Sequence, residues 1–240
     1  MIETFAALLF AHVLADFVLQ TGWIVANKRN PLVLLLHGLI VLITLQIALG
    51  SVTAWPLLAL AVAHLIIDAI KTHAPHANGL WPFLADQLAH LATLAVTALL
   101  FPTLWANGIW AGAMPLPALM VIAAGLLLTI RAGAFAIGFL MAPWATADLP
   151  KGLENGGHLI GVLERGLIFL LLMVGQPTGV GFLIAAKSVL RFDTTAKDQS
   201  AGEYVIIGTL ASFGWALLCA YGTLALLAHL PPLGILPKTH

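Results

Sequence analysis

The sequence predicts an all-α fold, a polytopic helical bundle integral to a membrane with about eight transmembrane segments. Three observations predict it. The 240 residues are 61% hydrophobic and only 8% charged, with a mean hydropathy of +1.02, whereas soluble domains carry about 25% charged residues. The apolar residues fall in runs near the roughly 20 residues that cross a bilayer core. Lys and Arg concentrate in every second connection, the pattern of cytoplasmic loops.

The first run, 4–26, follows Met-Ile-Glu, has no basic leader region and contains Asp16, which predicts a retained helix and not a cleaved signal. Lys28 and Arg29 close it. Runs 31–49 and 54–71 follow, the latter ending at Lys71, and 82–101 is the fourth. The fifth, 118–142, holds Arg131 near its middle and precedes Lys151; the sixth is 158–174. The seventh, 177–190, is short, follows Gln176-Pro177 and contains Gly179 and Gly181. It reads either as a crossing or as a re-entrant or strongly tilted segment. Arg191 and Lys197 follow it, and 203–228 is the eighth. Connections 50–53, 102–117 and 175–176 carry no charge, so the alternation predicts both termini outside; a re-entrant seventh segment would move only the C-terminus. Two halves result, 1–101 and 102–240.

The charged and imidazole groups inside these runs carry the chemistry. Positions i and i+4 share a helix face, so His64 and Asp68 in AHLIIDAIKT point the same way. AHVLADFVLQ repeats this with His12, Asp16 and Gln20, and DQLAH reverses it with Asp86 and His90; LLLHGLI adds His37. His37 follows His12 by 25 positions and His90 follows His64 by 26, which predicts a tandem repeat of one hairpin. Two copies packed face to face bring four imidazoles and three carboxylates to one centre. That donor set suits one or two divalent ions, zinc, manganese or iron, with His12, Asp16, His37, His64, Asp68 and His90 as ligands. Counted from the cytoplasmic ends, all lie in the inner half, at about one to four turns.

A lone His or Asp in a membrane helix is explained as well by a helix-helix hydrogen bond. Seven on four consecutive helices require a shared compensation, because each buried Asp costs about 2.5–3.5 kcal/mol on insertion. For other groups the plainer explanation leads. Lys28, Arg29 and Lys71 read as orientation charges reaching the headgroups, Glu203 as a helix-dipole partner, and His73 and His76 as loop residues. Arg131, Glu164, Arg165 and Lys187 read as an ion-pair network, with Arg131 paired to Glu164 or Arg165, or as a basic group suited to phosphate. The single Cys219 excludes an internal disulfide and a Cys cage, and no basic tract predicts a nucleic-acid partner.

AHVLADFVLQ, LLLHGLI, AHLIIDAIK and ADQLAH, with GVLER, AAKSVLRF and EYVIIGTLASF, resemble a family of bacterial inner-membrane proteins classed as a domain of unknown function. The resemblance implies an inner-membrane location and no activity. AHLIIDAIKTHAPHANGLWPF is similar to the His-x-x-x-Asp helix and Gly-x-x-Pro loop of the membrane-bound metal-dependent hydrolases, but reads Ala-Pro-His-Ala-Asn-Gly where a Thr-Pro-x-Gly loop is usual.

Three functions remain open. A metal-dependent hydrolase would act on a membrane lipid or other phosphoester from the cytoplasmic leaflet, its ion activating a water. Asp86, the polar residue nearest the start of its helix, would be the general base, and Arg131, Arg165, Lys187 and Arg191 would orient an anionic headgroup; Glu164 belongs to the same catalytic group. A divalent-cation or proton transporter or channel needs polar groups reaching both faces, and the outer halves offer little beyond Gln46, Thr97 and Tyr221. A scaffold would use the polar network only to fix helix packing.

Overall fold

The computed structural model describes residues 1–74, 78–145, 155–195 and 199–233. Lys151, His76 and Lys197, and the side chain of Arg191, lie outside the described residues. No strand is present among those described.

Helix α1, Ile2–Leu14, runs directly into a π turn, Ala15–Leu19. At Gln20 the chain leaves the helix (φ −74°, ψ 95°), and Thr21 Oγ1 accepts from the Ile24 N–H at 3.4 Å to start the short helix α2, Gly22–Asn27. The run expected over 4–26 is thus two helices with a bend. Apolar periodicity passes straight through the break, because a side-chain cap and one extended residue leave no mark on hydropathy.

The next three helices fall within two residues of their expected limits. In α3, Pro31–Leu49, Asn30 Oδ1 accepts from Leu32 N–H at 2.9 Å and Pro31 fills the first turn, where its missing N–H costs nothing. It ends at Gly50, whose φ of 63° suits glycine. Helix α4 is Trp55–His73 and α5 is Leu80–Leu100. The fifth expected segment comprises α6, Leu116–Leu127, a second π turn, Leu128–Ala132, and α7, Gly133–Met141. Helices α8, Gly156–Met173, α9, Thr178–Thr195, and α10, Gln199–Leu227, follow among the described residues. Among the described residues, seven helical segments are long and apolar enough to span a membrane; the apolar part of α9, Thr178–Val189, is shorter.

The described residues form two compact units. In the first, Met1–Leu127 with Ala225–Leu233, α1 packs on α3, α5 and α6, α3 on α4, and α4 on α5. Helices α1, α3, α4 and α5 therefore close a ring of four. Lipid is as apolar as leucine, so close packing holds such helices together more than water exclusion does. Ala6, Ala7 and Ala11 of α1 and Ala15 of the π turn are completely buried, which lets neighbouring backbones approach. Thr4, also fully buried, donates to the Pro102 carbonyl at 2.8 Å and accepts from the Trp105 N–H at 3.3 Å. Thr4→Val orphans both backbone groups and is expected to lower stability by about 1–3 kcal/mol, measurable by thermal unfolding in detergent. The second unit, Leu128–Leu224, contains α7, α8 and α9 and most of α10.

Candidate metal centre

The four-helix ring of the first unit places its ionisable side chains inward. His12 on α1, His37 on α3, His64 and Asp68 on α4, and Asp86 and His90 on α5 are all buried, and the Asp16 side chain in the π turn is 7% exposed. π turns are rare and recur at functional sites because the extra residue re-aims a side chain. Here the turn begins one residue before Asp16, whose Oδ2 stays 3.8 Å from His12 Nδ1 while Oδ1 reaches across the bundle.

Asp16 Oδ1 lies 3.3 Å from both His37 Nε2 and His64 Nε2, and those nitrogens are 3.2 Å apart. Asp68 Oδ2 is 3.2 Å from His37 Nε2 and 3.5 Å from His64 Nε2. A tetrahedral ion with bonds of about 2.0–2.1 Å separates its ligand atoms by about 3.3 Å. The two imidazole nitrogens thus stand at about this spacing from each other and from one oxygen of each carboxylate. Asp16 Oδ1, although this close to two imidazoles, has no well-aligned hydrogen bond. His37 Nε2 and His64 Nε2 are within hydrogen-bond reach of each other, and the unaligned Asp16 Oδ1 is the donor a shared cation would satisfy.

A second set continues from the first. His64 stacks on His90 with ring centroids 4.0 Å apart, and His12 lies 5.1 Å from His90 and 5.6 Å from His64. His90 Nε2 is 3.6 Å from Asp86 Oδ1 and 4.0 Å from Asp68 Oδ1. Among the described residues, ligand-competent triads include Asp16, His37 and His64; His12, His64 and His90; and Asp68, Asp86 and His90. Both ring nitrogens of His12 and of His90, and Asp86 Oδ1, are buried without a hydrogen bond. Each such orphan costs about 1–3 kcal/mol, and a cation would relieve that cost.

Two lysines join this cluster, and here the reading as mere orientation charges is corrected. Lys28 Nζ donates to Asp68 Oδ2 at 2.7 Å and Lys71 Nζ donates to Asp86 Oδ2 at 2.6 Å. The Gln20 carboxamide, oriented to donate to the Asp16 carbonyl at 3.2 Å, accepts from Lys28 Nζ. The chain break after the π turn directs Lys28 inward, which an unbroken helix over 4–26 hides. Lys71 stands three positions after Asp68, a spacing that does show in the sequence. Asp86 is buried, and its partner Lys71 is the more exposed of the two lysines. Two ammonium groups face three carboxylates; Asp16 is the one without a lysine, and its neighbours are the imidazoles of His12, His37 and His64.

Gly38, beside His37, was not singled out from sequence. A Cβ there would lie 2.5–2.8 Å from the Leu65 side chain, so the glycine sets how closely α3 meets α4 and keeps His37 within reach of His64. Gly38→Val is expected to cost about 1–3 kcal/mol by overpacking and to lower the bound-ion content measured by elemental analysis.

The other expected site residues fall in the second unit. Glu164 Oε2 accepts from Lys187 Nζ at 2.7 Å, and Arg165 donates to Ser212 Oγ at 3.1 Å and to the Ile130 carbonyl at 3.3 Å. Arg131 lies in the second π turn. His73 is outside the cluster, its Nδ1 2.9 Å from the Ala69 carbonyl of its own helix.

Residues 4–111 match the model of a family described as "Protein of unknown function (DUF3307)". The matched stretch holds all seven His and Asp residues of the cluster and both lysines, and ends before GVLER, AAKSVLRF and EYVIIGTLASF. No curated protein matches the chain, and no solved structure does.

Proposed function

We propose that the chain is a metal-dependent membrane hydrolase acting on a lipid or other phosphoester, with one or two divalent ions held by His12, Asp16, His37, His64, Asp68 and His90. The carrying observation is a set of four donors in which His37 Nε2 and His64 Nε2 lie 3.2 Å apart and each stands 3.2–3.5 Å from both Asp16 Oδ1 and Asp68 Oδ2. Mixed imidazole and carboxylate donors at this spacing favour zinc, with manganese or iron the other candidates. A bound divalent ion supplies Lewis acidity and lowers the pKa of a water towards neutrality. Asp86 Oδ1, free of hydrogen bonds, is the group available to take that water's proton, and Lys71 holds the carboxylate in place.

A lipid substrate agrees with the surroundings. The first unit carries an apolar cavity of about 510 Å³ lined by Phe10, Leu14, Ile40, Ile43 and Met120, among others, which suits an acyl chain. The resemblance to bacterial inner-membrane proteins and the alternation of charged loops support a cluster on the cytoplasmic side of such a membrane, with both termini outside. The lysine pairs favour a second reading: a permanently charged network that fixes helix packing, with the ammonium groups as its only cations.

The test is turnover. Protein loaded with zinc, manganese or iron is assayed against phospholipids and isoprenoid phosphates, beside Asp86→Asn. Metal-dependent release of phosphate or headgroup that falls at least about a hundredfold in the variant supports the reading, in line with loss of general base catalysis. Metal-loaded protein inert on every phosphoester removes the hydrolase and leaves a binding or packing centre.

A further inference from the structure

Within the second unit, a cavity of about 220 Å³ is lined by Glu164, Arg165, Lys187, Tyr204, Thr209 and Ser212, among others. Its charges are unequal. Lys187 is neutralised by Glu164 at 2.7 Å and its ammonium sits 5.3 Å from the centre of the Phe213 ring. Arg165, 3% exposed, has no carboxylate partner among the described residues. Of the five N–H groups of a guanidinium, one is given to Ser212 and one to the Ile130 carbonyl, and the buried Nε–H has no acceptor.

The space around this guanidinium is kept by glycine. A Cβ at Gly161 would approach Arg165 Nη1 to 3.0 Å, and one at Gly133 would approach Arg165 Cδ to 3.1 Å and Trp215 Cδ1 to 2.7 Å. A buried, uncompensated cation in a membrane segment costs about 2.5–3.5 kcal/mol, and a planar fork with three N–H groups to spare is the donor geometry that matches phosphate oxygens. The remaining lining offers the hydroxyls of Tyr204 and Thr209, and Glu164 stays engaged with Lys187.

We propose that this cavity is a phosphate-binding site centred on Arg165, taking a phosphate carried on a lipid headgroup or free in solution. It stands within the second unit alone and does not rest on the metal reading. Calorimetric titration of the full chain in mild detergent, stripped of metal with chelator so that no ion can hold the anion, uses two probes: dihexanoyl phosphatidylglycerol and inorganic phosphate. Saturable binding of the lipid alone identifies a headgroup site, and binding of inorganic phosphate as well identifies a site open to the free anion; either supports the proposal. Arg165→Gln should weaken binding at least about tenfold, and Arg165→Lys should recover part of it, because the charge returns without the fork. Gly161→Ala, which keeps every charge and crowds Nη1, should also weaken it and decides the matter if Arg165→Gln does not fold. Wild-type protein that binds neither probe, or binding unchanged in Gly161→Ala and in folded Arg165→Gln, overturns the proposal.

Discussion

His64→Ala is expected to remove bound divalent ion from the protein, weakening affinity by more than about a hundredfold, the upper end of what loss of a ligand's supporting hydrogen bond alone does. His64 is the residue the two ends of the cluster share. Its Nε2 is 3.2 Å from His37 Nε2 and 3.3 Å from Asp16 Oδ1, and its ring stacks on His90 at 4.0 Å. It belongs both to the triad with Asp16 and His37 and to the triad with His12 and His90. Removing it leaves three of the four donors and opens a gap on α4. A His37→Ala variant should lose the same ion but leave the His12, His64 and His90 triad intact. Competition against a chelating dye measures both. Equal affinities in wild type and His64→Ala would place any bound ion elsewhere.

Lys28→Met is expected to act in the opposite direction, tightening divalent-ion binding by roughly tenfold, which is about 1.4 kcal/mol. Lys28 Nζ is 2.7 Å from Asp68 Oδ2, the same oxygen that closes the donor set, so ammonium and ion compete for one acceptor. Methionine keeps the apolar stem and removes the competitor. If the lysines were instead the permanent cations of a packing network, the substitution would break a buried pair without replacement and cost about 3–5 kcal/mol of stability. Melting temperature and ion affinity measured on one sample separate the two: a tighter ion with little change in metal-loaded melting, or a large fall in melting with no ion bound.

Most of the first unit was legible because its signals are local. Hydropathy located α3, α4 and α5, and i to i+4 spacing put His64 with Asp68 and Asp86 with His90 on common faces. The 25- and 26-residue separations anticipated that four helices would share one polar centre. The break at Gln20 was not legible, since Thr21 and one extended residue redirect the chain inside an apolar run, and Lys28 therefore looked like a headgroup anchor. Gly38 gave only a weak signal: a glycine within an apolar helix marks close approach but does not say of what. In the second unit the sequence grouped Glu164, Arg165 and Lys187, but it could not assign the partners. Glu164 and Arg165 are adjacent and differ by about 100° around the helix, and only packing against α9 and α10 decides that Lys187 takes the carboxylate and Ser212 the guanidinium.

The central claim is that the buried His and Asp cluster holds a divalent ion, and metal content measures it most directly. The full chain, purified in mild detergent without a polyhistidine tag, is submitted to elemental analysis beside Asp16→Ala/Asp68→Ala. One or two equivalents of zinc, manganese or iron in the wild type, absent from a variant that keeps its helical circular dichroism, is the result expected. A wild type that is metal-free as purified, and stays so after incubation with those ions, contradicts the claim.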